Sequence, residues 1–299
     1  MLSSSRASLR PLTLIVAALA GSSAHAIVGG TLDTATSVYQ YTGNYNNGSF
    51  FGAQPIAPNW LITVKHIGPT VGNVFSNSDG FYTVDQVVSD PNSDISLMHV
   101  NGTFAHYYTY GAVTNAGTNV TVYGYGPHSA AVGTKPNDPD GNRYLATNSI
   151  DAIYNINFPG QSSFQTYEFD LDDGSGTHNS TGGTIPTASE GGVLVGDSGG
   201  GWFTNYGYAL PTLVAMSSAS ASESDFKFDP NNPGANQGAN TELYQAGATS
   251  FGVNLSAYAS FIQSTTGIAP VTPRATPEPA TFAALGLGAL AVLRRRRRA

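Results

Sequence analysis

Gly196-Asp197-Ser198-Gly199-Gly200 is the stretch whose reading decides the fold. It follows the apolar run Val193-Leu194-Val195 and sets a serine between glycines, with an acid just before it. Glycines here let the backbone turn sharply and approach a bound carbonyl closely, which a Cβ would obstruct. Such a turn can aim the N–H groups of Gly196 and Ser198 at one point, where a developing oxyanion would be stabilised. Glycine-rich turns containing serine are also ordinary structural features. The segment gains meaning only from partners elsewhere in the chain.

One partner is expected at the N-terminus. Residues 1–26 read as a secretory signal peptide: Arg6 and Arg10 form the basic region, Leu12 to Ala20 the apolar region, and Ala24-His25-Ala26 a small-x-small cleavage site. Cleavage after Ala26 leaves Ile27-Val28-Gly29-Gly30 as the mature start. An acid buried beside a reactive serine needs a compensating cation, because an unpaired buried charge is costly. The new Ile27 ammonium is the obvious partner for Asp197. Export normally permits disulfides, yet the chain has Cys 0, so stability must come from the core, which leaves a contribution from bound ions open.

Two further groups stand at strand ends. Pro58-Asn59-Trp60-Leu61-Ile62-Thr63-Val64-Lys65-His66 is a turn followed by a β-rich run that delivers a histidine, where a general base could be held rigidly. Phe81 to Val88 reads as another strand, and Ser93-Asp94-Ile95-Ser96-Leu97-Met98-His99-Val100 begins with an acid and runs apolar. Taken singly, His66 reads as a structural or exposed histidine and Asp94 as the cap of a turn.

Composition points the same way. With Gly 35 and charged residues at only 10% of 299, the chain reads as short strands joined by turns and polar loops rather than as helices. Two of the 12 Lys and Arg residues lie in the leader and five in Arg294 to Arg298, whereas all 19 acids fall between Asp33 and Glu278. The folded body is therefore acidic, which argues against nucleic-acid binding.

In this order the segments resemble the chymotrypsin-like (trypsin-fold) serine protease family. Ile27-Val28-Gly29-Gly30 is similar to that family's activated N-terminus, Trp60 to His66 to its W-[VL]-[LI]-T-A-A-H segment, and Asp94-Ile95-Ser96-Leu97 to D-I-[AS]-L. Tyr123-Gly124-Tyr125-Gly126 resembles its G-W-G turn, Gly196 to Gly200 its nucleophile motif, and Gly252-Val253-Asn254 with Tyr258 to Ile262 its closing segments. The resemblance covers roughly residues 27–266, in the order His, Asp, Ser. It implies an all-β fold of two six-stranded antiparallel barrels packed side by side, divided near 115–140, with a short C-terminal helix. It implies a catalytic triad of His66, Asp94 and Ser198, an oxyanion hole from Gly196 and Ser198, and a primary pocket with Gly192 at its base. Ser217 or Ser218 would form the pocket wall. Without a carboxylate at Gly192, small or apolar side chains are expected substrates rather than Arg or Lys. A protein or peptide substrate, no metal or organic cofactor, and a monomer are expected.

The chain also departs from the pattern. Lys65 replaces an alanine before the histidine, and a cation there would weaken an imidazolium unless it points elsewhere. That leaves a second reading open, a catalytically impaired protease-fold binding or matrix protein displayed at the cell envelope. The loops Gln161 to Glu190 and Ser220 to Ser250 are enlarged. Asp170, Asp172 and Asp173 set oxygen ligands at alternate positions, which leaves calcium open, but the segment lacks a full calcium-loop signature and reads as a solvated acidic turn.

The C-terminus carries a separate signal. Residues 267–279 read as a linker, and Thr276-Pro277-Glu278-Pro279, the apolar run Ala280 to Leu293 and Arg294 to Arg298 follow. The run is shorter than the roughly 20 residues of an ordinary spanning helix. Residues 280–299 resemble the PEP-CTERM sorting tail of Gram-negative bacteria, which implies cutting by an exosortase after signal peptidase has acted. A plain transmembrane anchor is the other reading, with the arginines on the cytoplasmic side. Either way the membrane is met only through the tail. The mature protein is expected in the periplasm, at the envelope or outside the cell.

Overall fold

The structure, a computed structural model, describes residues 27–33, 37–45, 51–113, 115–126, 128–129, 131–137, 141–157, 162–224 and 243–274. The signal peptide and the apolar-basic tail lie outside the described residues. No helix among the described residues is long and apolar enough to cross a membrane.

Six strands close into a barrel: β1 (Thr31–Leu32) belongs elsewhere, and β2 (Gly43–Tyr45), β3 (Gly52–Ala57), β4 (Trp60–Val64), β5 (Val74–Asn77), β6 (Gly80–Ser89) and β7 (Ile95–Asn101) run in the order β2-β3-β4-β7-β6-β5. All pairs are antiparallel. Alternation along β4 explains its place. Leu61 joins Tyr45, Phe75, Met98 and Phe104 inside the barrel, while Ile62 and Val64 face a second core shared with the other half of the molecule. A strand buried on both faces needs apolar residues at consecutive positions, as this one has.

The second half is an open eight-stranded sheet. It comprises β1, β8 (Thr118–Gly124), β9 (Tyr144–Ile150), β10 (Ala152–Ile156), β11 (Phe164–Asp170), β12 (Gly201–Thr204), β13 (Thr212–Ala221) and β14 (Thr249–Asn254), in the order β1-β9-β8-β12-β13-β14-β11-β10. Of the two closed barrels expected, one is present, and among the described residues the other strands form a sheet whose ladders do not close. β9 and β11 come close without pairing, and the chain segment 190–192 fills the seam between them. Gly191 donates to Thr147 O at 3.1 Å, and the Asn148 amide reaches Asp170 O at 2.8 Å, Gly191 O at 3.1 Å and Glu190 Oε1 at 2.6 Å. One buried side chain thus does the joining that a ladder would otherwise do.

The chain passes from barrel to sheet over residues 102–117, ahead of most of the glycine- and proline-rich stretch. Tyr108, Tyr110, Tyr123, Phe203, Leu213 and Phe251 fill the joint with Ile62, Val64 and Leu97. One α-helix, α1 (Ala259–Thr266), closes the described chain; it buries Ile262 and stops at Gly267, whose φ of 76° is left-handed.

Asn148→Ala would strip three acceptors of their donor at the seam, at a cost of about 1–3 kcal/mol. We expect the thermal midpoint to fall by about 2–12 °C for a domain of this size. Thermal unfolding followed by circular dichroism checks this, and an unchanged midpoint would show that the seam is held otherwise.

Candidate active site

The β4–β7 register brings the histidine and the acid together. Val64 pairs with Ile95, and the ladder continues one step further as Lys65 N–H donates to Asp94 O at 3.1 Å. The residue after β4 and the residue before β7 therefore sit side by side, although a hairpin of β5 and β6 separates them in sequence. A 3-10 turn over Lys65–Ile67, ended by Gly68 at φ 67°, lifts the imidazole off the strand. Lys65 Nζ donates to Asp90 O at 2.8 Å, which places its charge on the loop before β7.

Asp94 is fully buried and accepts three donors. His66 N–H reaches Oδ1 at 2.8 Å, while His66 Nδ1 and Ser218 Oγ reach Oδ2, each at 2.6 Å. A carboxylate on Nδ1 holds the proton there and leaves Nε2 as an acceptor. Nε2 lies 2.8 Å from Ser198 Oγ. His66, Asp94 and Ser198 thus form one continuous hydrogen-bonded line, with the imidazole side chain 30% exposed at its open end.

Ser198 is delivered by the second half of the molecule and fastened to the first. Gly52 N–H of β3 donates to Ser198 O at 2.9 Å, and Gln54 Nε2 donates to Gly199 O at 3.0 Å. Gly199 has φ 78°, and a Cβ on it would fall 2.1 Å from Gly52 O and 2.5 Å from Thr63 Oγ1. Glycine is required there on both counts. From the other side Ser217 N–H donates to Gly200 O at 2.7 Å and Ser217 O accepts from Gly199 N–H at 2.9 Å. Gly196, at φ 105°, lies two residues before Ser198 in the same turn.

Asp197 lies beneath this turn, with Ile27 and Val28 also fully enclosed. Its Oδ2 accepts from Leu194 N–H at 2.9 Å, whereas its Oδ1 has no partner among the described residues. Burial pushes its carboxyl well above the usual carboxylate range, and the N–H groups of Leu194 and Gly126 oppose this only in part. Val28 is bonded in both directions to Gly192, at 2.9 and 3.3 Å, which ties residues 27–30 to the segment that leads to Ser198.

The pocket residues are distributed differently from the sequence reading. Gly192 is buried, and a Cβ there would meet Ser250 Oγ at 2.9 Å and Leu171 Cδ2 at 3.0 Å. Ser217 Oγ accepts from Trp202 Nε1 at 2.9 Å within the core. Ser218 orients Asp94. Sequence reasoning missed Gln54 and Gly52; a glycine and a polar residue in an otherwise apolar strand were the available signal.

A second group of acids lies on β11. Glu168 and Asp170 are fully buried, so the expectation of a solvated acidic turn is corrected for Asp170, although Asp173 is exposed. Burial raises the carboxyls of Glu168 and Asp170, and it pushes Asp151 and Glu190 up to about 7 and Asp172 to about 6. Among the described residues no three His, Asp or Glu side chains are grouped to hold a metal ion.

Residues 275–298 match the PEP-CTERM protein-sorting motif. No curated protein matches the chain. The motif marks an exported protein of the Gram-negative cell envelope and implies processing by an exosortase.

Proposed function

We propose that residues 27–266 form a chymotrypsin-like serine endopeptidase, followed by a linker over 267–279 and the sorting tail over 280–299. The observation that carries this reading is the unbroken line from buried Asp94 through His66 to Ser198, with 2.6 Å and 2.8 Å links. A serine hydroxyl is a weak nucleophile unless a base removes its proton as it attacks. His66 Nε2 is placed for that. Ser198 Oγ adds to the scissile carbonyl carbon while its proton passes to Nε2, and Asp94 stabilises the imidazolium through Nδ1–H. The N–H groups of Gly196 and Ser198 receive the negative oxygen. His66 then gives the proton to the departing amine, leaving an acyl-enzyme. Water, deprotonated by the same nitrogen, releases the carboxylic acid and restores Ser198.

Gly192 offers no negative charge to a basic side chain, and Leu171 and Ser250 crowd it. A small or apolar residue before the cut fits this environment. The alternative of an impaired envelope-binding protein drew on Lys65, whose ammonium is held on Asp90 O rather than beside the imidazole.

Ser198→Ala is expected to lower kcat by about 10⁴–10⁶-fold and to abolish labelling by a fluorophosphonate, with His66→Ala similarly inactive. Incubation with a peptide library, wild type beside Ser198→Ala, reads activity and side-chain preference together. A wild-type enzyme that neither labels nor cleaves would sink the hydrolase reading.

Asp197 Oδ1 is the natural seat for the Ile27 ammonium, and no residues separate the signal cleavage site from Ile27. Signal peptidase would then create the activating charge during export. N-terminal sequencing of the exported protein is expected to begin at Ile27, and Asp197→Asn to reduce fluorophosphonate labelling by about 10²-fold or more, from the loss of a buried charge pair. A mature start elsewhere contradicts this.

A further inference from the structure

Strand β11 buries both its faces. Tyr167 and Phe169 point into the sheet's apolar core, while Thr166, Glu168 and Asp170 point the other way and are also fully buried. The cover on that polar face is the enlarged loop 171–190. Its turn at Ser180 and Thr181 reaches down to both acids: Ser180 N–H donates to Asp170 Oδ2 at 2.6 Å, and Thr181 Oγ1 donates to Glu168 Oε2 at 2.7 Å. Each carboxylate thereby has one oxygen satisfied by the loop.

The other oxygen of each is not satisfied. Glu168 Oε1 and Asp170 Oδ1 are buried without a partner, and so is the side-chain oxygen of Asn179, the residue next to Ser180. These are three of six such atoms among the described residues, and all three fall on one strand face and the turn above it. Asp151 adds a further carboxylate. Its N–H donates to Glu168 O at 2.9 Å, and a Cβ on Gly182 would fall 1.9 Å from its Oδ1, so the loop backbone rests directly on it. None of the ion pairs among the described residues reaches Glu168, Asp170 or Asp151. Buried acceptors with neither a donor nor a cation are expensive, and evolution of a chain rarely leaves three together.

We propose that Glu168, Asp170 and Asn179 form a calcium site that fastens loop 171–190 to the sheet, the two carboxylates matching the charge of the ion, with Asp151 outside the shell and hydrogen-bonded to Asp170. The donor set consists of two carboxylates and an amide oxygen, with no imidazole and no thiol, which suits a hard cation and not zinc. Calcium accepts six to eight oxygens in flexible geometry, so carbonyls and water complete the shell. Magnesium demands a strict octahedron and gives up water reluctantly, a poor match to a covered strand face. Sites of this kind in exported modules fill at roughly 10⁻⁴–10⁻³ M calcium.

The test uses the exported mature chain carrying Ser198→Ala, so that self-cleavage cannot intervene, after purification in chelator. Titration calorimetry should give one calcium site. About 5 mM calcium should raise the thermal midpoint by several degrees and slow thermolysin cutting within 171–190, as for any ligand bound only by the folded state. Glu168→Gln and Asp170→Asn, nearly isosteric, should weaken binding about ten-fold or more, while Asp85→Asn at an exposed position should leave it unchanged. If the variants do not fold, the unsubstituted site still decides the matter. Identical midpoints in calcium and chelator, an equal response to magnesium, or an undiminished calcium response in folded Glu168→Gln overturns the assignment.

Discussion

The pairing of Val64 with Ile95 is the constraint on which the site rests. One register places the end of β4 beside the start of β7, and a slip by one residue would turn every side chain on β4 to the wrong face. Leu61 would leave the barrel interior, and Ile62 and Val64 would leave the joint with the second half. The apolar pattern that fills two cores therefore also fixes the distance between His66 and Asp94. Positioning chemistry and burying apolar surface are the same event here, which makes the geometry resistant to small disturbances elsewhere.

Ser198 must arrive from the other half of the molecule without a disulfide to guide it. Backbone contact does this work. Gly52 and Gly199 meet so closely that neither tolerates a Cβ, Gln54 bonds Gly199 O across the same contact, and Thr63 braces Gly52 from within the barrel. Because the contact is made by main chain and short side chains, few rotatable bonds lie between the barrel and the nucleophile. A long polar side chain spanning the same gap would lose more entropy for a looser result. Arg143, paired with Asp33 on the sheet side, also reaches Thr42 Oγ1 at 3.2 Å and so joins the two halves at another point.

Much of this was legible in the sequence, and the reason is local. Trp60 to His66 announces a strand ending in a base because apolar and β-branched residues fill it. Gly196 to Gly200 announces a tight turn because only glycine allows the approach the structure shows at Gly199. The open sheet was not legible, because closure depends on whether β9 and β11 pair, and that is decided by Asn148 and the segment 190–192 wedged between them. Ser217 and Ser218 read as equivalent in the sequence, yet the register shift between Ser217 and Ala219 sets Ser218 apart and turns its hydroxyl to Asp94. Asp170 was read as solvated because a run of acids with glycines looks like surface; the loop that covers it follows in sequence and contains no apolar stretch to reveal that it folds back.

Scarcity of basic residues ties these observations together. Five Lys and Arg residues remain between leader and tail, against 19 acids. Arg143 neutralises Asp33, but with so few cations most of the other buried carboxylates must find another source of positive potential. Asp94 finds it in three hydrogen-bond donors, which suffices because both oxygens are served and the imidazole beside them can itself become charged. Asp197 has the N–H groups of Leu194 and Gly126 but keeps an open Oδ1, and Glu168 and Asp170 have one satisfied oxygen apiece. Donors alone therefore serve both oxygens of Asp94, while Asp197, Glu168 and Asp170 each keep one oxygen without a partner among the described residues. An arginine opposite Asp197 or Glu168 would complete either site inside the cell, before the chain reached its place of work. On the proposed reading, export itself supplies what completes them, a new terminus for Asp197 and a calcium-bearing environment for Glu168 and Asp170.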